Sequence, residues 1–117
     1  MRNTQHKGDT ATAQCIATFT KKGFYVLIPL TESAAYDVVL DTGETLVRVQ
    51  VKYSSNKEVD LRNIHSNAKG YVVKKTKECS YDWLYVLHES GEEYLIKKCL
   101  NGRRSVTFFD DTYKLSK

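Results

Sequence analysis

Apolar residues recur at helical spacing along the first twenty positions. Ala11, Cys15 and Phe19 stand at i, i+4 and i+8, with Ala13, Ile16 and Ala17 widening the stripe. This predicts a helix from about residue 4 to residue 22 that packs on something. Lys21 and Lys22 fall where a helix dipole favours cations, and Gly23 suits the left-handed position that ends a helix. Residues 24–28, Phe-Tyr-Val-Leu-Ile, follow as a strand-sized apolar run stopped by Pro29.

The period then changes to two. Residues 36–40, a turn at Asp41-Thr42-Gly43-Glu44 and residues 45–52 have the pattern of a β-hairpin. Val47, Val49 and Val51 fall on one face of its second strand, and Arg48, Gln50 and Lys52 on the other. If the hairpin closes with Asp41 opposite Glu44, residue 37 lies opposite residue 48. Asp37 then shares the polar face, with Gln50 as a diagonal neighbour about 7–8 Å away.

Residues 53–81 lack a long period: 54–57 form a loop, and Tyr71-Val72-Val73 is a short strand candidate. A second hairpin is expected from residues 83–87, a turn at 89–92 and residues 94–96, followed by a basic turn at 101–105 and a short strand at 106–109. The expected fold is α/β (α+β), an N-terminal helix packed on a mixed sheet of about five strands. One domain spans residues 1–117, its core at 7–53 and 81–100 and an insertion at 54–80.

Composition narrows the classes. A chain of 117 residues with 41% hydrophobic and 27% charged residues is one ordinary globular domain. No apolar run approaches a membrane span, and the first residues lack the apolar stretch of a signal peptide, so the cytoplasm is the expected compartment. Cys15, Cys79 and Cys99 are odd in number and widely spaced, with no C-x-x-C clip, which predicts buried or neutral thiols rather than a disulfide framework. His6, His65 and His88 are too scattered for a zinc site.

Charge is unevenly placed. Residues 48–77 hold Arg48, Lys52, Lys57, Arg62, Lys69, Lys74, Lys75 and Lys77 against Glu58 and Asp60. That window is +6, so with a net charge of +4 the remainder is −2. A basic segment of this kind suits a polyanion. Lys57, Arg62, Lys69, Lys74, Lys75, Lys77, Arg103 and Arg104 are candidates for phosphate contacts, with Arg48 and Tyr53 nearer the hairpin.

Phosphodiester cleavage asks for a divalent metal with hard oxygen ligands and a cation beside the developing negative charge. Asp37, Gln50, the Val51 carbonyl and Lys52 supply such a set. The same residues could also be only a turn-capping acid and a solvated strand face.

The order of these features resembles a known family. Lys7-Gly8-Asp9 opens a helix, residues 23–29 form the strand ending in Pro29, and Tyr36-Asp37-Val38-Val39 precedes Val49-Gln50-Val51-Lys52. This is similar to the PD-(D/E)XK nuclease superfamily in the variant where glutamine replaces the middle acid, and among its members to the small intron-encoded homing endonucleases of cyanobacterial type. The archaeal Holliday-junction resolvases share the helix-plus-hairpin core. The resemblance implies a restriction-endonuclease-like core and Mg²⁺-dependent hydrolysis of double-stranded DNA, with Mn²⁺ as a substitute. Asp37, Gln50 and Val51 would hold the metal, with Lys52 beside them.

One position departs. Relatives place a glutamate on the first helix five residues after the lysine, and here that residue is Thr12. Either Asp9 takes part of its role, or one well-bound metal suffices, or cleavage is weakened or lost. Three functions remain open: a site-specific homing endonuclease, a junction resolvase, and a DNA-binding module without cleavage. With one candidate site per chain, cutting both strands calls for a dimer or tetramer.

Overall fold

The computed structural model describes residues 3–31, 34–61, 79–100 and 102–115. A helix, α1 (Asn3–Lys21), is followed by β1 (Tyr25–Leu27), β2 (Val38–Asp41), β3 (Leu46–Ser54), β4 (Glu58–Asp60), β5 (Trp83–His88), β6 (Glu93–Ile96) and β7 (Ser105–Thr107). A five-stranded sheet has the order β1-β2-β3-β5-β6, and β4 and β7 form a separate two-stranded ribbon. Only β3 and β5 run parallel; the other adjacent pairs are antiparallel. The expected helix on a mixed five-stranded sheet is what the chain forms. The ribbon's first strand, β4, lay in the stretch without visible period. The candidate strand at 71–73 lies outside the described residues.

The helix buries the stripe that its spacing predicted, Ala11, Cys15 and Phe19. Gly23 ends it at a φ of 98°, donating to the Thr20 carbonyl at 3.0 Å, while Phe24 N–H donates to the Phe19 carbonyl at 3.0 Å. These two bonds form a Schellman motif, and the Phe19 and Phe24 rings meet edge-on at 5.5 Å across it. The cap aims the chain straight into β1.

Two cores result, one on each face of the sheet. On the helix side, Ala11, Cys15 and Phe19 meet Val38, Leu40, Val47, Val49, Val51, Tyr85, Leu87 and Leu95. On the other side, Leu84, Val86, Tyr94 and Ile96 are covered by the ribbon and its surroundings, Val59, Val106, Phe108, Leu100 and Tyr81. Ser54, the one buried polar residue among the described positions, pins the turn between β3 and β4. Its hydroxyl donates to the Glu58 carbonyl at 2.9 Å and accepts from Asn56 N–H at 3.0 Å.

Two expectations are corrected. The β2–β3 hairpin closes with Asp41 opposite Leu46, two residues further on than expected. Thr42 N–H donates to the Thr45 carbonyl at 3.0 Å, Asp41 Oδ1 accepts from Gly43 N–H at 2.9 Å, and Gly43 sits at a φ of 95°. This side-chain capping stabilises a four-residue loop. The cysteines also differ from expectation, since Cys79 and Cys99 are joined in a disulfide with Cα atoms 6.0 Å apart. Cys79 leads into β5 and Cys99 follows β6, so the hairpin itself brings them together. Tyr81 Oη, accepting from Leu100 N–H at 3.2 Å, ties the same two segments. Cys15 is a buried thiol as expected.

Candidate active site

The site forms where β2 begins and β3 continues past it. Val38 is opposite Val49, so Asp37, just before β2, stands beside Gln50 rather than Arg48. A shift of two residues keeps every side chain on its face while changing its partner. Asp37 N–H donates to the Val49 carbonyl at 2.9 Å, which anchors its backbone to β3. Its carboxylate Oδ2 then accepts from Val51 N–H at 2.8 Å and from Gln50 Nε2 at 3.0 Å. A strand residue at 36 would have taken the Val51 N–H; the carboxylate takes it instead. Within a strand a residue's N–H and C=O point toward the same edge, so the Val51 carbonyl faces this opening too.

On the other side β5 holds β3 in place, with Gln50 beside Leu84, Val51 beside Tyr85 and Lys52 beside Val86. Buried Val49 and Val51 alternate with half-buried Gln50 and Lys52, so the polar pair cannot slip without exposing core.

Electrostatics tie the group together. Burial raises the Asp37 carboxyl above its ordinary value, against the lowering pull of Val51 N–H and the Lys52 charge. Burial lowers the Lys52 ammonium, opposed by the negative charges of Asp37 and Asp60. Cys15, under the helix, feels Asp37 as well: burial first, then Glu93 and Asp37, push its thiol up to about 12. The site thus joins an anion and a cation that burial disfavours, each supported by the other. Such frustrated charges suit a place that receives a further ion or a phosphate.

The donor set fits a hard cation. Asp37 supplies carboxylate oxygens, and with Gln50 Nε2 turned to Asp37, the Gln50 amide oxygen is left for another partner. With the Val51 carbonyl these are oxygen ligands of the kind magnesium takes.

The remaining candidates are spread more widely. Asp9 is exposed on α1, two residues before inward-facing Ala11 and so on another side of the helix. Thr12 is half-buried. Arg48 is engaged by Asp82: its Nε and Nη2 donate to the carboxylate at 3.1 Å each, and its backbone N–H donates to Oδ2 at 2.8 Å. Asp82 N–H returns a bond to the Arg48 carbonyl at 2.8 Å, so this pair clamps the start of β5 to β3. Tyr53 packs against the helix-side core and carries Lys7 Nζ 5.5 Å above its ring centroid. Lys57 Nζ lies 5.9 Å from the Phe109 ring centroid. Arg103 and Arg104 are exposed, and Arg104 lines a polar groove of about 420 Å³ with Asn56, Glu58, Val59, Asp60 and Ser105. Arg62, Lys69, Lys74, Lys75 and Lys77 lie outside the described residues.

Two residues of consequence were not among the site candidates. Asp82 stands 34 positions from Arg48, and nothing local announces the clamp. Asp60 reaches Lys52 electrostatically because the β3–β4 turn folds the ribbon back toward the site. Only its place in the +6 window, as one of two acids, marked it.

Comparison with known proteins bears on the family and the fold. The fold matches that of the bacterial homing endonuclease I-Ssp6803I with a TM-score of 0.75 and 25% identity, covering 97% of this chain and 89% of that one. No curated protein matches the chain in sequence. The model of the PD-(D/E)XK endonucleases matches residues 2–105, nearly the whole chain and every element of the site, and the protein belongs to that family.

Proposed function

We propose that the protein is a metal-dependent DNA endonuclease of site-specific homing type, hydrolysing phosphodiester bonds in double-stranded DNA. The observation that carries this reading is the convergence of Asp37, Gln50 and the Val51 edge of β3 beside Lys52. Membership of the nuclease family and the fold shared with a homing endonuclease support it.

Asp37, Gln50 and the Val51 carbonyl would hold Mg²⁺, or Mn²⁺ in its place, which when bound supplies Lewis acidity toward phosphate and water. The Asp37 side chain is positioned by Val51 N–H and Gln50, so its orientation does not wait for substrate. Lys52 brings a fixed positive charge to the face where negative charge grows on phosphate. Half-burial strengthens that charge's effect by thinning the water around it. Asp9 is the second carboxylate on which a further metal could draw. Lys57, Arg103, Arg104 and the basic residues between 62 and 77 would grip the DNA backbone, and two or four copies would cut both strands. Six phosphate contacts correspond to a salt slope of about −5 in log–log form.

Plasmid nicking with and without Mg²⁺, with Asp37→Ala and Asp9→Ala in parallel, tests the chemistry, and selection of cleaved sites from a random duplex library tests the target. Mg²⁺-dependent cleavage at one selected sequence, lost in Asp37→Ala, is expected. Preference for a four-way junction would move the assignment to a resolvase. Tight DNA binding without nicking at any metal concentration would overturn the enzyme and leave a binding module. A binding constant unchanged between 50 and 200 mM salt would refute the basic footprint.

A further inference from the structure

The Cys79–Cys99 disulfide closes the open end of the β5–β6 hairpin. Both cysteines are half-buried, and Cys79 packs at the margin of the ribbon-side core rather than inside it. The bond is not what pairs the strands. β5 and β6 are held by their own antiparallel ladder, from Leu84 opposite Ile96 to Leu87 opposite Glu93. Tyr81 and Leu100, joined by their own hydrogen bond, are buried with Leu84 and Ile96 in one core. Opening the disulfide therefore leaves the sheet its pairing and its core.

What the bond does hold is the segment after Cys99. The Leu100 carbonyl accepts from Arg103 N–H at 3.1 Å, and Gly102, at a φ of 89°, turns the chain back. Arg103 and Arg104 are both exposed on this turn. The Arg104 carbonyl then accepts from Leu61 N–H at 2.7 Å, where the β4–β7 ribbon begins. Support thus runs from Cys99 through Leu100 and the basic turn to the ribbon. Lys97 and Lys98 are exposed immediately before Cys99, with Lys97 Nζ 5.1 Å from the Trp83 ring centroid. An approaching thiolate meets a basic surface here.

We propose that Cys79–Cys99 is a reversible redox site that exchanges with a monothiol of the glutathione class, and that its closing holds the basic turn at Gly102–Arg104 in place. A thiolate attacks one sulfur, forming a mixed disulfide and releasing the other cysteine as a thiolate that takes up a proton. A second thiol attacks the small-molecule sulfur of the mixed disulfide and frees the second cysteine, which is protonated in turn. Two electrons and two protons pass to the chain, and two small thiols leave as one disulfide. Solvent-reachable disulfides are the labile ones, whereas deeply buried structural bonds resist the glutathione pool. Cys15, a free thiol buried under the helix, takes no part.

The consequence for DNA rests on the nuclease reading. Arg103 and Arg104 are two of the residues proposed to grip the backbone, and DNA lies in compartments that keep accessible thiols reduced. The grip would then follow the thiol balance, firm when the bond is closed and loosened when it is open.

The full chain, equilibrated in glutathione buffers of graded ratio and then quenched, denatured and alkylated, tests the site without DNA or metal. With three cysteines, one of them free, one thiol per chain is expected at the oxidising end and three at the reducing end. Reduction is expected to lower Tm by roughly 10 °C and to leave far-UV circular dichroism unchanged at room temperature. Amide exchange at Leu61 and Arg103 speeds up by about 10-fold or more, while the β5 amides keep their protection. The double variant Cys79→Ser, Cys99→Ser matches the reduced wild type in every buffer. Affinity for duplex DNA falls by about 10-fold on reduction, as for two arginine side chains losing preorganisation.

Three thiols at every ratio overturn the proposal, as does one thiol at every ratio until the chain unfolds. Reduction that leaves exchange at Leu61 and Arg103 unchanged overturns it too. If exchange responds but neither form binds DNA, the redox site stands and the nuclease reading falls. Equal DNA affinity of the two forms overturns the coupling to DNA and spares the enzyme.

Discussion

At the β5–β6 end of the sheet both faces are dry, whereas at the β1–β2 end only the helix side is. The burial patterns record it. Leu84, Tyr85, Val86 and Leu87 of β5 are buried in succession, while β3 alternates between buried and half-buried positions. A strand covered on both faces reads as a continuous apolar run, and one covered on a single face alternates. β3 lies at the boundary, flanked by ribbon on one side and open surface on the other. This is where a row of polar side chains can stay near water and still touch a core. The proposed site occupies that row, where partial coverage would leave a substrate access.

The largest effect expected from breaking this arrangement falls on the boundary itself. Asp37→Asn is expected to remove cleavage by roughly 100-fold or more in a nicking assay, in line with loss of one preorganised electrostatic group. It should not destabilise the chain at neutral pH. Burial raises the Asp37 carboxyl, so its contribution to stability is fully present below its unfolded pKa and lost as pH rises through the folded one. Asn does not ionise. The variant's Tm is therefore higher than the wild type's at pH 8, and the gap closes toward about pH 4.

Next comes the covered end. Phe108 is fully buried beneath the ribbon, where its ring meets Tyr94 edge-on at 5.0 Å. Phe108→Ala is expected to cost about 3–5 kcal/mol in denaturant unfolding. If it costs less than about 1 kcal/mol, the ribbon is not the dry cover described above.

Asp82→Asn acts on the link between the two ends. It breaks the Arg48 clamp and is expected to cost about 1 kcal/mol at neutral pH, as for a well-aligned but partly exposed pair. The hydrogen bonds from Arg48 hold the Asp82 carboxyl below its ordinary value. Its contribution is thus present above the unfolded pKa and lost as pH falls through the folded one, so the deficit of Asp82→Asn shrinks below about pH 4. The smallest effect belongs to the β1–β2 end: Leu27→Ala, at a half-exposed position, is expected to change stability by less than about 0.5 kcal/mol.

How much of this was legible in the chain follows from the range of each interaction. The α1 stripe and its Gly23 stop are local, and they appear as read. The β2–β3 hairpin was visible in its alternation, and the polar face of Asp37, Gln50 and Lys52 with it. Its register was not, because it turned on Thr42 and Asp41 capping a four-residue loop instead of a two-residue one. The error was an even number of residues, so the face survived and the partner changed. β4 is three residues of a ribbon whose other strand lies 45 or more positions away. No local period could announce it.

The alternation of apolar and polar residues by itself determined the helix, the hairpins and which residues share the face bearing Gln50 and Lys52, because a strand's side-chain period is set by the backbone. Tertiary structure alone decided that Arg48 belongs to Asp82, that Cys79 meets Cys99, and that Lys52 feels the charges of both Asp37 and Asp60. The first depends on the parallel pairing of β3 with β5, the second on the closing of the β5–β6 hairpin and the third on the ribbon folding back. Such contacts join residues far apart in the chain, and their energy comes from burial that no single segment can supply.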